Sequence, residues 1–254
     1  MEYVNVEQAR QMPGLRLVLT AGQPGPWGEA AKALFRIKGI SYTAVRQEAG
    51  ASNDALRDWT GHSNAPIAML DDDAPRSHWL ELIMLAERLS DTPRLVPEDG
   101  EQRVRMIGLT AELAGEDGLG WQRRLLIFHS MMGSDQGREL VGAMAQRYGY
   151  SDQAAQRARR RCAEILRLLS AQMRSQLEAG RRFLIGGQLS ALDVYWAAFS
   201  NMVWPLAEEC CPMPAGTRAA YTLQDEQILA AADESLRAHR DRVLQEHGLL
   251  PMVF

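Results

Sequence analysis

Cysteine and histidine are the side chains whose spacing would most directly indicate a catalytic nucleophile or a metal site. The 254-residue chain has three cysteines, two of them adjacent at Cys210 and Cys211, and none in a C-x-x-C pair. Its five histidines are far apart and lack the short spacing of metal ligands. We therefore expect no metal site and no disulfide framework, in agreement with a reducing compartment.

The charges exclude several classes of protein. Arginines 157, 159, 160 and 161 form the densest basic run, which we interpret as a solvated or interdomain face of a helix. A net charge of −4 argues against a dedicated nucleic-acid-binding protein, which usually has a basic excess. Residues 1–14 lack the apolar run of a signal peptide, and no apolar stretch approaches the ~18 residues that span a membrane. The expected location is the cytoplasm.

The first half of the chain alternates between strand and helix patterns. Leu15 to Thr20 is an apolar run between Pro13-Gly14 and a Gly- and Pro-rich segment, which predicts a buried strand. The apolar residues that follow recur at helical spacing, with Pro26 suited to the first helical turn. The elements predicted after this strand are a helix over 27–38, a strand over 41–47, a short helix over 53–60, a hairpin beginning with a strand over 66–70, and a helix over 79–89. The order β-α-β-α-β-β-α is that of a thioredoxin-like domain.

The second half shows only helical patterns. Pro93 and Pro97 make residues 91–97 the best candidate for a linker, so we predict domains over 1–90 and 98–254. Ser190 with Asp193 three residues later predicts a capping box at the start of a helix that is apolar on nearly every side. The other helices are predicted over 102–113, 121–132, 152–177 and 223–246, with a loop over 212–217.

Three segments in this order resemble the glutathione transferase superfamily, of the cytosolic type, over about residues 15 to 250. Residues 33–42 resemble the end of the family's first helix and the start of its second strand. Residues 64–70 resemble its proline turn, and residues 183–193 its C-terminal capping box. The resemblance implies an α/β N-terminal thioredoxin-like domain plus an all-α C-terminal helical bundle. It also implies glutathione as co-substrate, without a metal.

The thiol-activating position departs from the family's pattern. The family usually lowers the pKa of the glutathione thiol with a Tyr, Ser or Cys beside its first helix. Here Gly25 stands where a Cys or Ser is expected, and Thr20 lies near the position at which other classes carry Tyr. We predict that the backbone N–H groups of Trp27 and Gly28 stabilise the thiolate, with the Thr20 hydroxyl as the alternative donor.

The resemblance also implies residues that hold the rest of glutathione. Ala65, before a proline like the family's cis-proline at Pro66, would pair with the cysteinyl part of the tripeptide. Glu81 matches the acidic residue that holds the γ-glutamyl ammonium. Leu82 follows where a Ser or Thr is usual, so that Arg76 or Ser77 would have to compensate. Asn64 stands where a Lys often binds the glycine carboxylate.

The remaining expectations concern the second substrate and the assembly. We expect a transferase acting on a hydrophobic electrophile, aromatic ones included, that is held by Trp27, Glu116, Trp121 and Arg124. The alternative is a non-catalytic glutathione- or ligand-binding protein that keeps the fold. A homodimer is expected, with no nucleic-acid or membrane partner. Its contacts would come from the face of the 79–89 helix formed by Leu80, Ile83, Met84 and Arg88.

Overall fold

A three-stranded sheet occupies the centre of the first half of the chain. The structure, a computed structural model, describes residues 1–254. Strand β1 (Leu15–Thr20) lies in the middle, parallel to β2 (Thr43–Gln47) on one side and antiparallel to β3 (Ile67–Leu70) on the other. Nearly all of β1 is buried, which explains why apolar residues stand on both of its faces, at Leu17, Val18 and Leu19. The one charged residue of the strand, Arg16, is also buried and donates to the carbonyls of Met12 and Asp71 at 2.6 and 2.7 Å.

Four helices of the first half cover the two faces of this sheet. They are α1 (Val6–Ala9), α2 (Pro26–Ile37), α3 (Asp54–Thr60) and α4 (Trp79–Leu89). Because side chains alternate along a strand, Leu17 of β1 joins the core beneath α2 and α4, whereas Val18 joins the cluster beneath α1 and α3.

The predicted order of elements is confirmed from β1 to β3 and at α4, and β1 and α4 have the predicted bounds. Two features differ from the prediction. Helix α1 was not predicted; it begins with a capping box in which Asn5 accepts from the Gln8 N–H. The second strand of the predicted hairpin is reduced to one bridge between Ala68 and Arg76.

Eight helices and a short 3-10 turn (Ser200–Met202) form the second half, which confirms the predicted all-α C-terminal architecture. None of the chain's helices combines the length and the apolar character that crossing a membrane requires. The eight helices are α5 (Gly100–Ala114), α6 (Leu119–Met132), α7 (Asp135–Arg147), α8 (Asp152–Glu178), α9 (Ala191–Phe199), α10 (Ala215–Tyr221), α11 (Glu226–Leu229) and α12 (Glu234–Glu246).

Three predictions for this half were wrong. Helix α7 was not predicted, and α10 begins inside the segment 212–217 that we expected to be a loop. The helix predicted over 223–246 is divided into α11 and α12. It breaks because Asp233 caps α12 by accepting from the Ser235 N–H at 2.9 Å, while its own N–H donates to Ser170 Oγ, also at 2.9 Å.

Helix α9 is the centre of the helical half, as its apolar sequence predicts, since all its residues are buried. The predicted capping box is confirmed, with Asp193 accepting from the Ser190 N–H at 2.7 Å. The same carboxylate accepts from the Leu184 N–H at 2.8 Å and lies 2.7 Å from Nε2 of His239, a buried residue of α12. This network fixes the position of α9 against its neighbours.

The two halves share one continuous hydrophobic core. Residues 90–99, which include the predicted linker, form neither helix nor strand. The ring of Trp27 in α2 contacts Phe199 of α9 edge to face, with 5.0 Å between centroids. The Tyr195 hydroxyl of α9 donates to the Trp79 carbonyl of α4 at 3.1 Å. These contacts hold the first turn of α2 and the start of α4 against the helical half.

Candidate functional site

A cleft opens where the end of β1 and the first turn of α2 face helices α6 and α7. The loop before β3 and the end of α10 complete its walls. Its volume is about 210 Å³, below the ~300–1,000 Å³ of pockets that enclose a drug-sized ligand. A ligand as large as a tripeptide would therefore extend into the open mouth of the cleft.

The first turn of α2 presents unpaired backbone donors to this cleft. Gly25 is the N-cap residue, and because it has no side chain it makes no capping hydrogen bond. Pro26 follows, and no group of the chain accepts from the N–H of Trp27 or of Gly28. Free N–H groups at a helix N-terminus carry a partial positive charge that favours an anion. A Cβ atom added to Gly25 would meet nothing within 4 Å, so the cleft has open space at this position.

The Thr20 hydroxyl lines the cleft but has a partner within the chain. It donates to Gln47 Oε1 on the adjacent strand at 2.7 Å. The Gln47 amide in turn donates to the carbonyls of Glu48 and Ser63, at 2.8 and 3.3 Å. The hydroxyl proton of Thr20 is therefore used in a cross-strand contact, and donating it to a ligand would break that contact.

The segment before β3 faces the cleft with an unpaired stretch of backbone. The Ala65–Pro66 peptide bond is cis, as expected, and Pro66 is buried. Neither the N–H nor the C=O of Ala65 is hydrogen-bonded within the chain, and the exposed Asn64 side chain also has no partner. Asn64 and Ala65 both line the cleft. The structure thus brings together a donor and an acceptor with the pattern of an unpaired strand edge.

Glu81 and Leu82 lie outside the residues that line the cleft. His78 is the N-cap of α4, which places Glu81 at the third helical position, where its carboxylate accepts from the His78 N–H at 3.1 Å. Leu82 is buried in the core, with 1% of its surface exposed. Of the two residues proposed to compensate, Arg76 forms an ion pair with Asp73 at 3.1 Å, and Ser77 Oγ lies 3.5 Å from His62 Nε2.

Two of the four residues expected around the second substrate line the cleft, namely Trp27 and Arg124. The Trp27 Nε1–H donates to the Ala114 carbonyl at 2.9 Å, which fixes the ring between the two halves of the chain. Glu116 is exposed and lies outside the cleft lining. Trp121 is also outside it and packs edge to face against Tyr148, which does line the cleft.

Several residues of the cleft were not identified from the sequence. Glu29 and Lys32 form an ion pair of 2.6 Å, and Lys32 also donates to the Val253 carbonyl at 2.7 Å. Burial raises the pKa of the Glu29 carboxyl, and Lys32 opposes that rise. Burial also raises the pKa of Tyr221, whose hydroxyl donates to the Pro24 carbonyl at 3.3 Å. The i,i+3 spacing of Glu29 and Lys32 was the only local signal for any of these contacts.

The cleft also contains Tyr3, which precedes α1, and Arg147, the last residue of α7. Burial raises the pKa of the Tyr3 hydroxyl, and the nearby Glu29 carboxylate raises it further. This hydroxyl has no hydrogen-bond partner in the chain. No three His, Cys, Asp or Glu side chains are grouped closely enough to hold a metal ion. The cleft lining brings together backbone donors, aromatic rings, hydroxyl groups, cations and the Glu29 carboxylate.

Comparison with known proteins finds relatives in structure only. No protein-family model matches the chain, and no curated protein matches it in sequence. A glutathione S-transferase from Methylobacterium radiotolerans, solved with glutathione sulfonate, superposes with a TM-score of 0.59 at 14% identity, over 91% of this chain and 90% of that one. Rice GST1, solved with glutathione, gives a TM-score of 0.57 at 18% identity, over 93% and 92%.

A glutathione S-transferase from Xanthobacter autotrophicus is similar to the same degree, with a TM-score of 0.57 at 15% identity over 91% of this chain and 92% of that one. In each case the superposition covers both the α/β half and the helical half. Identities this low carry the architecture and not the residues of a site. The chain has the glutathione S-transferase fold.

Proposed function

We propose that the protein is a glutathione-dependent transferase that joins glutathione to an electrophile bound in the same cleft. The observation that carries this proposal is the arrangement of unpaired backbone groups. The N–H and C=O of Ala65 and the N–H groups of Trp27 and Gly28 line one cleft and have no partner in the chain. A short peptide with a thiolate side chain would satisfy both sets.

Ala65 would bind the cysteinyl residue of glutathione as one strand binds another, through its N–H and C=O. The Asn64 amide would donate to the glycine carboxylate. This arrangement supports placing the thiol at the first turn of α2. Because Gly25 has no side chain, there is room for the sulfur atom at the start of α2.

The energetic requirement for activation can be met by backbone groups. A free thiol has a pKa near ~8.5, and lowering it by about two units requires ~2.7 kcal/mol of preferential stabilisation of the thiolate. A helix N-terminus contributes ~0.3–1 kcal/mol and up to ~2 kcal/mol where it is partly buried. A hydrogen bond to a charged group adds ~1.5–3 kcal/mol. The thiolate would attack the electrophilic carbon, and the leaving group would depart with its bonding electron pair.

Calorimetry with glutathione tests the proposal directly. We expect saturable binding at millimolar glutathione or below, together with a rise in Tm. Gly25→Leu places a bulky side chain in the open space at the start of α2, and it should abolish binding while far-ultraviolet circular dichroism is unchanged. Gly187→Leu, the same change at an exposed glycine outside the cleft, is the matched control. An absence of heat and of thermal shift for the unaltered protein would refute the proposal.

One observation favours a second candidate, a non-catalytic glutathione- or ligand-binding protein. Gly25 offers no side chain to the thiol, and the Thr20 hydroxyl is occupied by Gln47. A site that binds glutathione without lowering the pKa of its thiol would likewise have no free side-chain donor beside the sulfur. A chromogenic aryl-halide conjugation assay separates the candidates, because glutathione-dependent turnover occurs only if the thiol is activated.

We also propose that the protein forms a homodimer through the outer face of α4. Met84 is 49% exposed and Leu80 is half-buried, so that this face keeps apolar surface. Ile83, which we expected on the same face, is instead buried in the chain's own core at 1% exposure. Light scattering at micromolar concentration should give twice the 28.3 kDa mass of one chain, and Met84→Glu should reduce the measured mass to that of a single chain.

A further inference from the structure

Arg124 of α6 is a cation enclosed by aromatic rings at the inner wall of the cleft. Its guanidinium carbon lies 4.7 Å from the centre of the Trp27 ring and 4.4 Å from that of the Tyr148 ring. The Trp121 ring is 5.6 Å away. Each contact lies within the ~6 Å over which a cation is attracted to the face of an aromatic ring. The rings therefore fix the position of the guanidinium without using its N–H groups.

No acceptor in the chain uses those N–H groups. Arg124 makes no hydrogen bond with any residue and no ion pair with any carboxylate. Its buried sequence neighbour Arg123, in contrast, donates to the carbonyls of Met202 at 2.8 Å and Tyr221 at 3.3 Å. Arg161 likewise forms ion pairs with acidic side chains. Arg124 is therefore an exception among the enclosed arginines of this chain.

The charges around Arg124 leave it uncompensated. Tyrosines 148 and 221 are the titratable groups that face it, and burial lowers the pKa of its guanidinium. Glu29 is the only acidic side chain that lines the cleft, and it is paired with Lys32 at 2.6 Å. Arg147 lines the cleft too and forms no ion pair. The cleft thus carries two uncompensated cations in a chain whose net charge is −4.

An enclosed guanidinium loses hydration, and aromatic rings replace only part of what water supplied. Its planar fork of five donors matches a carboxylate, which it binds through two parallel hydrogen bonds. The apolar residues Ile127, Met144 and Met202 line the rest of this wall. A ligand that both hydrogen-bonds to the guanidinium and packs against these apolar residues would combine one carboxylate with an apolar or aromatic body.

We infer that the electrophilic substrate is a carboxylate, an apolar or aromatic acid, and that Arg124 binds its carboxylate. The inference rests on the proposed transferase function and specifies the substrate class for it. Trp27, whose ring Arg124 contacts, is also one of the two residues whose free N–H groups would hold the thiolate. The acid is thereby anchored beside the sulfur, with its reactive carbon directed towards the first turn of α2.

The experiment compares two electrophiles of similar shape, the anionic 4-chloro-3,5-dinitrobenzoate and the neutral 4-chloro-3,5-dinitrobenzamide. Because the carboxamide activates the ring more than the carboxylate does, each kcat/KM is divided by the rate constant of the uncatalysed reaction with glutathione. With either one, the glutathione sulfur bonds to the ring carbon that carries chlorine, and chloride leaves with the electron pair of the C–Cl bond. We expect this normalised kcat/KM of the unaltered protein to be higher with the benzoate. Equal normalised values for the two compounds would overturn the inference without any variant being made.

Arg124→Met removes the charge and keeps a long apolar side chain. It should lower kcat/KM for the benzoate by about 10- to 100-fold, the loss expected when a charge-assisted hydrogen bond is removed, and for the benzamide by less than about threefold. Arg124→Lys keeps the charge without the fork and should restore part of the preference. Arg167→Met, at an exposed arginine of α8 that lies outside the cleft, should change neither rate.

Two further readouts separate this inference from its alternatives. The affinity for glutathione, measured by calorimetry, should change less than about twofold in Arg124→Met; a large loss would show that Arg124 binds a carboxylate of glutathione, which overturns the inference. If neither electrophile turns over, the transferase proposal fails. Binding of the carboxylate by Arg124 is then tested by comparing the affinities for two unreactive compounds, 3,5-dinitrobenzoate and 3,5-dinitrobenzamide. Tighter binding of the benzoate that is lost in Arg124→Met supports the inference, and equal binding of the two compounds overturns it.

Discussion

The hydroxyl of Thr20 donates a hydrogen bond to Gln47 Oε1 across 2.7 Å, joining the ends of two parallel strands. Gln47 is 4% exposed, and its Oε1 receives no other hydrogen bond. The hydroxyl at the end of β1, close to the first turn of α2, therefore has a structural partner. This relationship favours activation of a thiol by the backbone N–H groups of Trp27 and Gly28.

Thr20→Val should accordingly affect stability more than activation. Removal of the hydroxyl leaves Gln47 Oε1 buried without a donor, which should lower the free energy of unfolding by about 1–3 kcal/mol. The pKa of the bound glutathione thiol, read from thiolate absorbance against pH, should change by no more than a few tenths of a unit. Thr20→Ser keeps the hydroxyl and serves as the control. A rise of about one to two pKa units in Thr20→Val would instead identify Thr20 as the thiolate donor.

Gly25→Asp should separate helix stability from thiol activation. An aspartate at the N-cap accepts from the free N–H groups of α2, and its charge interacts favourably with the helix dipole, so the protein should gain a few tenths of a kcal/mol or more. The same carboxylate would compete with a thiolate for those donors and repel it. The pKa of the bound thiol should therefore rise and conjugation should slow.

Gly25→Ala is the control for this substitution, because it adds a Cβ where nothing lies within 4 Å and adds no acceptor. It should keep the thiol pKa close to that of the unaltered protein. If Gly25→Asp stabilised the protein to urea and left the thiol pKa unchanged, the thiolate would not lie at the first turn of α2.

Glu81→Ala distinguishes a capping carboxylate from a ligand-binding one. Glu81 accepts from the His78 N–H and lies outside the cleft lining. Its removal should lower the free energy of unfolding by about 0.5–1.5 kcal/mol, the usual net value of a hydrogen bond. The dissociation constant of glutathione should remain within about twofold. A tenfold weakening in calorimetry would show that Glu81 holds the γ-glutamyl ammonium, as the family resemblance implies.

The sequence predicted those helices and strands in which the apolar pattern is bounded by turn residues or by a helix cap. β1 has an apolar run between turn residues, and α9 has its capping box followed by an apolar segment. Helix α7 was missed because it buries only Gly137, Val141 and Ala145, too few for an apolar stripe. Helix α10 buries no residue, so only tertiary context defines it.

The candidate site was predictable only where one element supplies it. The free N–H groups at Trp27 follow from a glycine and a proline at the start of a helix. The contact between Thr20 and Gln47 depends on the register of two strands, which the sequence does not specify. The enclosure of Arg124 by Tyr148 requires the turn of α7 back onto α6, and α7 itself was not recognised. The contact between Glu81 and the His78 N–H depends on a histidine N-cap, which is outside the usual set of capping residues.

Gly120→Ala tests how closely α6 must approach Trp27. A Cβ atom added to Gly120 would lie 2.5 Å from Phe199 Cε1 and 2.7 Å from Trp27 Cη2. Both rings are rigid and tightly packed, so they must move, and overpacking of this kind costs about 1–3 kcal/mol. The loss should exceed the ~0.5–1 kcal/mol that alanine gains over glycine within a helix.

Gly108→Ala in α5 is the matched control, since a Cβ atom there would meet nothing within 4 Å. It should raise the urea midpoint through helix propensity alone, whereas Gly120→Ala should lower it. Displacement of the Trp27 ring by Gly120→Ala should also change the tryptophan fluorescence and raise KM for the electrophile more than for glutathione. If Gly120→Ala stabilised the protein as Gly108→Ala does, the close packing of α6 on Trp27 and Phe199 would be contradicted, and with it the fixed position of Arg124 beside the first turn of α2.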